Sequence, residues 1–186
     1  NRAVPFDALV EGVWGDQPPA AVRASLRNHA ARLRRELGDR LVTHGDGYLL
    51  RVGPDELDLE RFARLVGEAR YADPARRASL LHDALALWRG PALADLASEP
   101  VHANAAHLDG RRLSAVEDRI DADLALGRHG ELVAELESLV AEHPFRERLR
   151  GHLVLALYRS GRQADALDAY AATRRTLVEE LGTEPS

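Results

Sequence analysis

Apolar residues at helical spacing open the chain. Phe6, Leu9, Val10, Val13 and Trp14 recur three or four apart and predict a short helix, which Gly15-Asp16-Gln17-Pro18-Pro19 brings to an end. Proline lacks an N–H and keeps the residue before it out of the helical region, so the chain turns here. Pro19 is expected near the first turn of the next helix, where its missing donor costs nothing. That second helix is predicted from Ala20 to about Leu37. Val22, Leu26, Ala30, Leu33 and Leu37 fall on one stripe and are expected to face a core. Ser25, Asn28, Arg32 and Arg35 lie on the opposite side, with Arg23, Arg27, His29 and Arg34 flanking it. Gly38 supplies a stop. Leu41-Val42-Thr43, a turn over His44-Gly45-Asp46-Gly47, and Tyr48-Leu49-Leu50-Arg51-Val52 then read as a hairpin.

Beyond Gly53-Pro54 the pattern changes. Gly and Pro become sparse punctuation between long Ala/Leu/Arg/Glu stretches, and no period-two alternation survives. Helices are predicted near Asp58–Tyr71, Pro74–Trp88, Val101–Leu126, Glu131–His143, Arg146–Ser160 and Gln163–Leu181, with breaks at Asp73-Pro74 and His143-Pro144. The chain also repeats itself. Gly127-Arg128 recurs as Gly161-Arg162, 34 residues later, which aligns Leu124 with Tyr158, Leu132 with Ala166, Val133 with Leu167 and Leu136 with Tyr170. Thirty-four residues is the period of the tetratricopeptide helix pair, with Gly at the turn, and Pro144 falls where that repeat places its terminal Pro. A weaker copy runs through Phe62, Leu65, Ala69, the Asp73 turn, Ala78, His82 and Leu85. Its turn lies 54 residues before Gly127, one repeat plus a 20-residue insertion around Pro91–Gly110. About three such pairs make a stable stack, which leaves a concave face for a partner or serves only as a rigid spacer.

Composition narrows the class. With 186 residues, 45% apolar, 30% charged and 5% aromatic, the chain reads as one or two ordinary globular domains. No apolar run approaches the length that spans a bilayer, and no signal-peptide pattern opens the sequence. A start at Asn1 without Met implies an upstream part. Cys is absent, which removes disulfides, thiolate metal sites and Cys nucleophiles. All 25 basic residues are Arg, and Ile occurs once, at Ile120. That bias fits a GC-rich genome, so Arg in place of Lys is not in itself functional. The net charge of −5 hides a gradient. Residues 1–52 carry eight Arg against six acids, residues 53–186 carry 17 Arg against 24 acids, and residues 20–40 carry six Arg against two. A basic helix on an acidic protein is a candidate polyanion contact or, equally, a solvated helix face.

No residue set carries catalysis. His102 and His107 are five apart, not the i, i+4 spacing of a helical zinc pair. There is no phosphate-binding glycine loop and no G-x-S-x-G elbow. Asp118, Asp121 and Asp123 beside Arg119 read as a hydrated face, the scattered His residues as solvated or capping, and Trp14 and Trp88 as core anchors. The expectation is no catalytic residues, no cofactor and no metal, hence no enzyme.

Helix, tight turn, Arg-rich helix and two-stranded hairpin make a winged helix-turn-helix. The major groove of B-DNA admits one helix whose side chains meet base edges, while a wing follows the phosphates. Arg bonds guanine in a bidentate manner and Asn bonds adenine likewise. A three-helix winged domain also needs a helix ahead of this pair, which residues 1–4 cannot supply, so the motif reads as truncated. The expected fold is mainly α, with a truncated winged helix-turn-helix and β-hairpin wing in residues 1–53 and an all-α tetratricopeptide-like domain in residues 54–186. The alternative to a DNA-binding protein is an interaction adaptor whose helical array binds a protein or peptide without direct DNA readout.

Ala8-Leu9-Val10-Glu11-Gly12-Val13-Trp14-Gly15-Asp16-Gln17-Pro18-Pro19, followed by Arg32-Leu33-Arg34-Arg35-Glu36-Leu37-Gly38, resembles the OmpR-like winged helix of the Streptomyces antibiotic regulatory protein family. Ala86-Leu87-Trp88-Arg89-Gly90-Pro91, Glu142-His143-Pro144-Phe145-Arg146-Glu147-Arg148-Leu149, Ala156–Leu167 and Glu180-Leu181-Gly182-Thr183-Glu184-Pro185 resemble its bacterial transcriptional activator domain. The resemblance implies a sequence-specific cytoplasmic, nucleoid-associated activator of secondary-metabolite, often antibiotic, genes. It implies binding as a dimer to direct repeats near the promoter −35 region, and recruitment of RNA polymerase holoenzyme with its sigma factor. Carried onto this chain, the groove-facing positions are Ser25, Asn28, His29 and Arg32, with Arg34 and Arg35 nearer phosphates. Arg23 and Arg27 flank them, and the wing is His44–Gly47, where related winged helices often carry Arg at the position of His44.

Overall fold

The computed structural model describes residues 2–54, 56–94 and 99–184, which divide into two compact units: residues 1–63 with 87–111, and residues 64–86 with 112–186.

In the first unit, α1 (Phe6–Trp14) starts after an extended Pro5 and stops at Gly15, whose φ of 56° few other residues adopt. The second helix, α2, runs over Val22–Leu37, two residues shorter than the spacing predicts. Its N-cap is Ala21, with φ −101° and ψ 43°, and the Ser25 N–H makes the first helical bond, to the Ala21 carbonyl at 3.0 Å. The Pro18-Pro19 pair is followed by a turn at Ala20-Ala21, so Pro19 lies outside the helix instead of in its first turn. At the other end Gly38, φ 59°, stops α2, and a single 3-10 turn (Gly38–Arg40) leads into β1 (Leu41–His44) and β2 (Gly47–Leu50).

The two strands pair antiparallel, Leu41 with Leu50 through His44 with Gly47, and Gly45-Asp46 forms the two-residue turn. Of these two only Gly45 has positive φ, 58°, the type II′ arrangement that matches strand twist. Val4 adds a third edge by exchanging both backbone bonds with Tyr48, at 2.8 and 3.1 Å. Gly47 is required there, because any side chain would run into the Val4 carbonyl. Residues 87–94 form a turn in which Trp88 sets its ring edge-on to buried Phe62, 5.4 Å between centroids. Phe62 lies on α3 (Asp58–Ala69), and the predicted run of α4 to Trp88 ends early: α4 spans Pro74–Leu85.

Every described secondary-structure element of the second unit is a helix. Asp73 caps α4 by accepting from the Arg76 N–H at 3.0 Å, and Arg77 donates to the Ala69 and Ala72 carbonyls at the end of α3. The long α5 (Glu99–Ala125) is followed by α6 (His129–Glu142), α7 (Glu147–Arg159) and α8 (Gln163–Leu181). Ile120, Leu124, Leu132, Leu136, Leu149, Leu153, Ala156, Leu157 and Ala166 form one buried cluster. The side chain of His102 and the whole of residues 95–98 and Pro185 lie outside the described residues.

The 34-residue period survives in atomic detail. Gly127 and Gly161 have φ of 83° and 81°. Arg128 N–H reaches the Asp123 carbonyl at 3.1 Å, and 34 residues later Arg162 N–H reaches the Leu157 carbonyl at 3.0 Å. Exposure repeats only in part: Leu132 and its mate Ala166 are both buried. Leu124, Val133 and Leu136 are buried, whereas their mates Tyr158, Leu167 and Tyr170 are exposed, Leu167 by 70%. The first set is packed into the cluster that α7 completes. The second lines an open groove of about 970 Å3 on α7 and α8.

The acidic stretch of α5 is only in part the hydrated face its sequence predicts: Asp118 and Asp121 keep 40% and 44% of their side-chain surface exposed, Asp123 only 9%. Asp123 is buried and bonds both Arg119 and Arg128 at 2.9 Å. Asp118 and Asp121 both pair with Arg148 of α7, and buried His152 reaches Asp121 at 2.6 Å. Each acid has a basic partner one turn away or on the facing helix, and charges so paired can leave water.

Candidate nucleic-acid interface

The stripe that anchors α2 is only partly covered. Leu26 and Ala30 are buried, as the spacing predicts, but Leu33 is 50% exposed and Leu37 is exposed as well. The open part of the stripe lies toward the C-terminal end of α2, at Leu33 and Leu37. Leu9, Val13, Leu26 and Leu33 therefore floor an apolar groove of about 720 Å3.

Rotation of about 100° per residue sorts the polar positions of α2 around this stripe. Directly opposite stand Ala24, Asn28, Ala31 and Arg35, all exposed. The two alanines were not among the sequence-derived candidates, although their i, i+4, i+7, i+11 spacing with Asn28 and Arg35 was there to be read. Small side chains on that face let the helix backbone approach a flat surface closely, and Ala contacts a thymine methyl. Arg23 and Arg27 lie toward the hairpin. Together with the Gly45-Asp46-Gly47 tip, Phe6 and Tyr48, they surround a cavity of about 180 Å3. Arg23 stacks its guanidinium on the Phe6 ring, 4.4 Å from the centroid. On the other flank His29 and Arg32 border the apolar groove, and the His29 ring sits 5.9 Å from that of half-buried Trp14. Ser25 is half-buried on that same flank.

Arg27, Asn28, Arg32 and Arg35 make no side-chain hydrogen bond or ion pair among the described residues, so three guanidinium groups keep all their donors free. Arg34 differs. It is half-buried and turned to the hairpin, with Nε donating to the Leu41 carbonyl at 2.9 Å and Nη2 to Thr43 Oγ1 at 2.7 Å. Its guanidinium also lies 5.5 Å from the Tyr48 ring centroid. His44 is exposed at the base of the wing turn, paired with Gly47. The exit from the hairpin is clamped too: Glu56 accepts the Gly53 N–H at 2.6 Å and both ends of the Arg40 fork at 3.0 and 2.8 Å. The Gly53 amide and then Arg40 hold the Glu56 carboxyl below its ordinary range.

The resulting surface has free cations on two sides of a bare helical face, with a rigid hairpin alongside. Among the described residues no group of three His, Asp or Glu is placed to hold a metal ion, and no helix is long and apolar enough to cross a membrane.

Residues 57–186 match the family described as bacterial transcriptional activator domain. Across its whole length the chain is 44% identical to the regulatory protein AfsR of Streptomyces griseus, of which it spans 20%. It is 40% identical to the regulatory protein DnrI of Streptomyces peucetius, of which it spans 75%. Among solved structures, that of Mycobacterium tuberculosis EmbR in complex with a low-affinity phosphopeptide superposes on all of this chain with a TM-score of 0.94 at 36% identity, the chain covering 52% of it. A helix-turn-helix with its hairpin wing, followed by tetratricopeptide-like helix pairs and matched over full length by these regulators, is the architecture of one group, and the chain belongs to the Streptomyces antibiotic regulatory protein family of transcriptional regulators.

Proposed function

We infer that this chain binds promoter DNA in a sequence-specific manner and activates transcription from it, at the nucleoid. Residues 1–53 act as the DNA-binding module and residues 54–186 as the activator module. The observation that carries this reading is that Arg27, Arg32 and Arg35 have no partner among the described residues and surround an exposed face holding Asn28. Unpaired Arg on a helix that fits the major groove has its bidentate fork available for guanine or phosphate. Asn28 and Arg32 are assigned to base edges with Ser25 and His29 beside them. Arg23, Arg27 and Arg35 are assigned to phosphates, and the wing tip at His44 to the neighbouring backbone.

Two subunits on direct repeats place their α2 helices on the same face of the duplex, about 10–11 base pairs apart or a multiple of that. The acidic remainder, 17 Arg against 24 acids over residues 53–186, repels DNA and suits basic surfaces of RNA polymerase holoenzyme near the −35 region, including its sigma factor. The regulated genes on this reading are secondary-metabolite genes, as the family's name suggests.

The test is a gel-shift series on direct-repeat promoter fragments against shuffled duplex, followed by transcription in vitro with purified holoenzyme. The reading expects a sequence-dependent shift and a rise in transcript that both require Arg32. A second reading, an adaptor that binds protein without DNA, is favoured by the open groove carrying Tyr158, Leu167 and Tyr170. It expects no shift on any duplex.

A further inference from the structure

We propose that Arg34 is a positioning residue that locks the hairpin to α2, and not a phosphate contact. The proposal rests on the DNA-binding reading for its consequence, but the lock itself is a property of the free protein. One guanidinium joins three elements. It leaves α2, donates to the Leu41 carbonyl and the Thr43 hydroxyl of β1, and lies against the Tyr48 ring of β2, the residue paired directly with Thr43. Its neighbours Arg27, Arg32 and Arg35 are exposed and make no such bonds, so the difference lies in position around the helix and not in residue type.

Such a lock has work to do. A two-stranded hairpin of four-residue strands is marginal alone in water. Here it is held from one side by the Val4–Tyr48 backbone pair and from the other by Arg34. A planar fork serves a carbonyl, a hydroxyl and a ring face in one fixed geometry; a Lys ammonium has the charge but not that fork. The offset between the α2 face and the Gly45-Asp46-Gly47 tip decides whether helix and wing engage one duplex together. Fixing it before binding removes an ordering cost from the complex.

The experiment compares Arg34→Ala, Arg34→Lys and Thr43→Val with the unaltered chain. Thr43→Val removes an acceptor of the lock and leaves every cation in place. In the free protein, amide exchange over Leu41–Leu50 is expected to quicken about tenfold in all three variants, with α2 protected as before. On direct-repeat duplex, affinity is expected to fall about tenfold in each. Hydroxyl-radical protection should vanish at the wing but persist under α2, and the slope of log affinity against log salt should stay unchanged. Arg34→Ala combined with Thr43→Val should be no worse than either alone. The proposal is overturned if hairpin exchange is unchanged in Arg34→Ala. It is equally overturned if Arg34→Ala lowers the salt slope by about one unit while Thr43→Val binds like the unaltered chain, the signature of a lost phosphate contact. Absence of salt-dependent duplex binding by the unaltered chain would refute the DNA-binding reading instead, and the exchange arm would still decide the lock.

Discussion

Leu136 and Tyr170 occupy the same register of successive repeats, yet the first is 0% exposed and the second 50%. What differs is the packing around them, Leu136 lying inside the buried cluster and Tyr170 on the open groove, so register alone does not set a residue's energetic weight. Leu136→Ala is expected to destabilise the second unit by about 2–5 kcal/mol, since it opens a cavity in a closed cluster, whereas Tyr170→Ala should cost under about 1 kcal/mol in this chain. Chemical denaturation of both variants checks the contrast. On the proposed DNA-binding reading, Arg32→Ala is expected to weaken operator binding by about 1–3 kcal/mol without lowering the melting temperature, the usual value of a base contact. Fluorescence anisotropy on a labelled repeat reads it directly. Residue roles of this kind were half legible in the sequence. The 3.6-residue period identified Leu26 and Ala30 as core and the Arg set as flanking. It could not tell that Arg34 turns inward, because the acceptors it finds, Leu41 and Thr43, become neighbours only when the hairpin folds back. Nor could it tell that Leu33 stays open, since what covers a stripe is a tertiary fact.

The repeat makes a prediction about turns. Gly127 and Gly161 hold nearly the same positive φ and neither has a neighbour that a methyl group would strike. Gly127→Ala and Gly161→Ala should therefore cost about the same, roughly 1–2 kcal/mol each, through backbone strain alone. Unequal losses in thermal melts would mean that one turn carries packing the other lacks. Pairing of α5 with α7 has a pH dependence whose sign is set by Asp121. Burial pushes its carboxyl up, but the Arg148 hydrogen bond and the charge of His152 outweigh that and hold it below its ordinary 3.8. Ionised Asp121 thus stabilises the folded form above its unfolded value, and that contribution fades as pH falls through the lower folded value. Asp121→Asn should melt below the unaltered chain at neutral pH, and the gap should close as pH drops below about 4. The helix positions and the repeat were readable from spacing. The network around Asp121, Asp123 and His152 was not, because an acidic stretch on a helix looks identical whether its counter-charges come from solvent or from a helix some 27 residues on.

On the proposed reading, charge is distributed to match a division of labour. Residues 1–52 carry a small positive excess and residues 53–186 a clear negative one, within a net charge of −5. Which partner meets the acidic remainder was not legible from composition. A solenoid face is recognised by shape, and the sequence shows only that such a face exists. On the proposed reading, the Arg side chains around the bare face of α2 neutralise DNA phosphates. The slope of log affinity against log salt on a direct-repeat duplex tests it most directly. With Arg23, Arg27 and Arg35 on phosphates in each subunit, the account predicts a slope of about −2.7 per bound subunit, falling by about 0.9 in Arg27→Ala or Arg35→Ala. A slope near zero, or one that neither substitution alters, would contradict it.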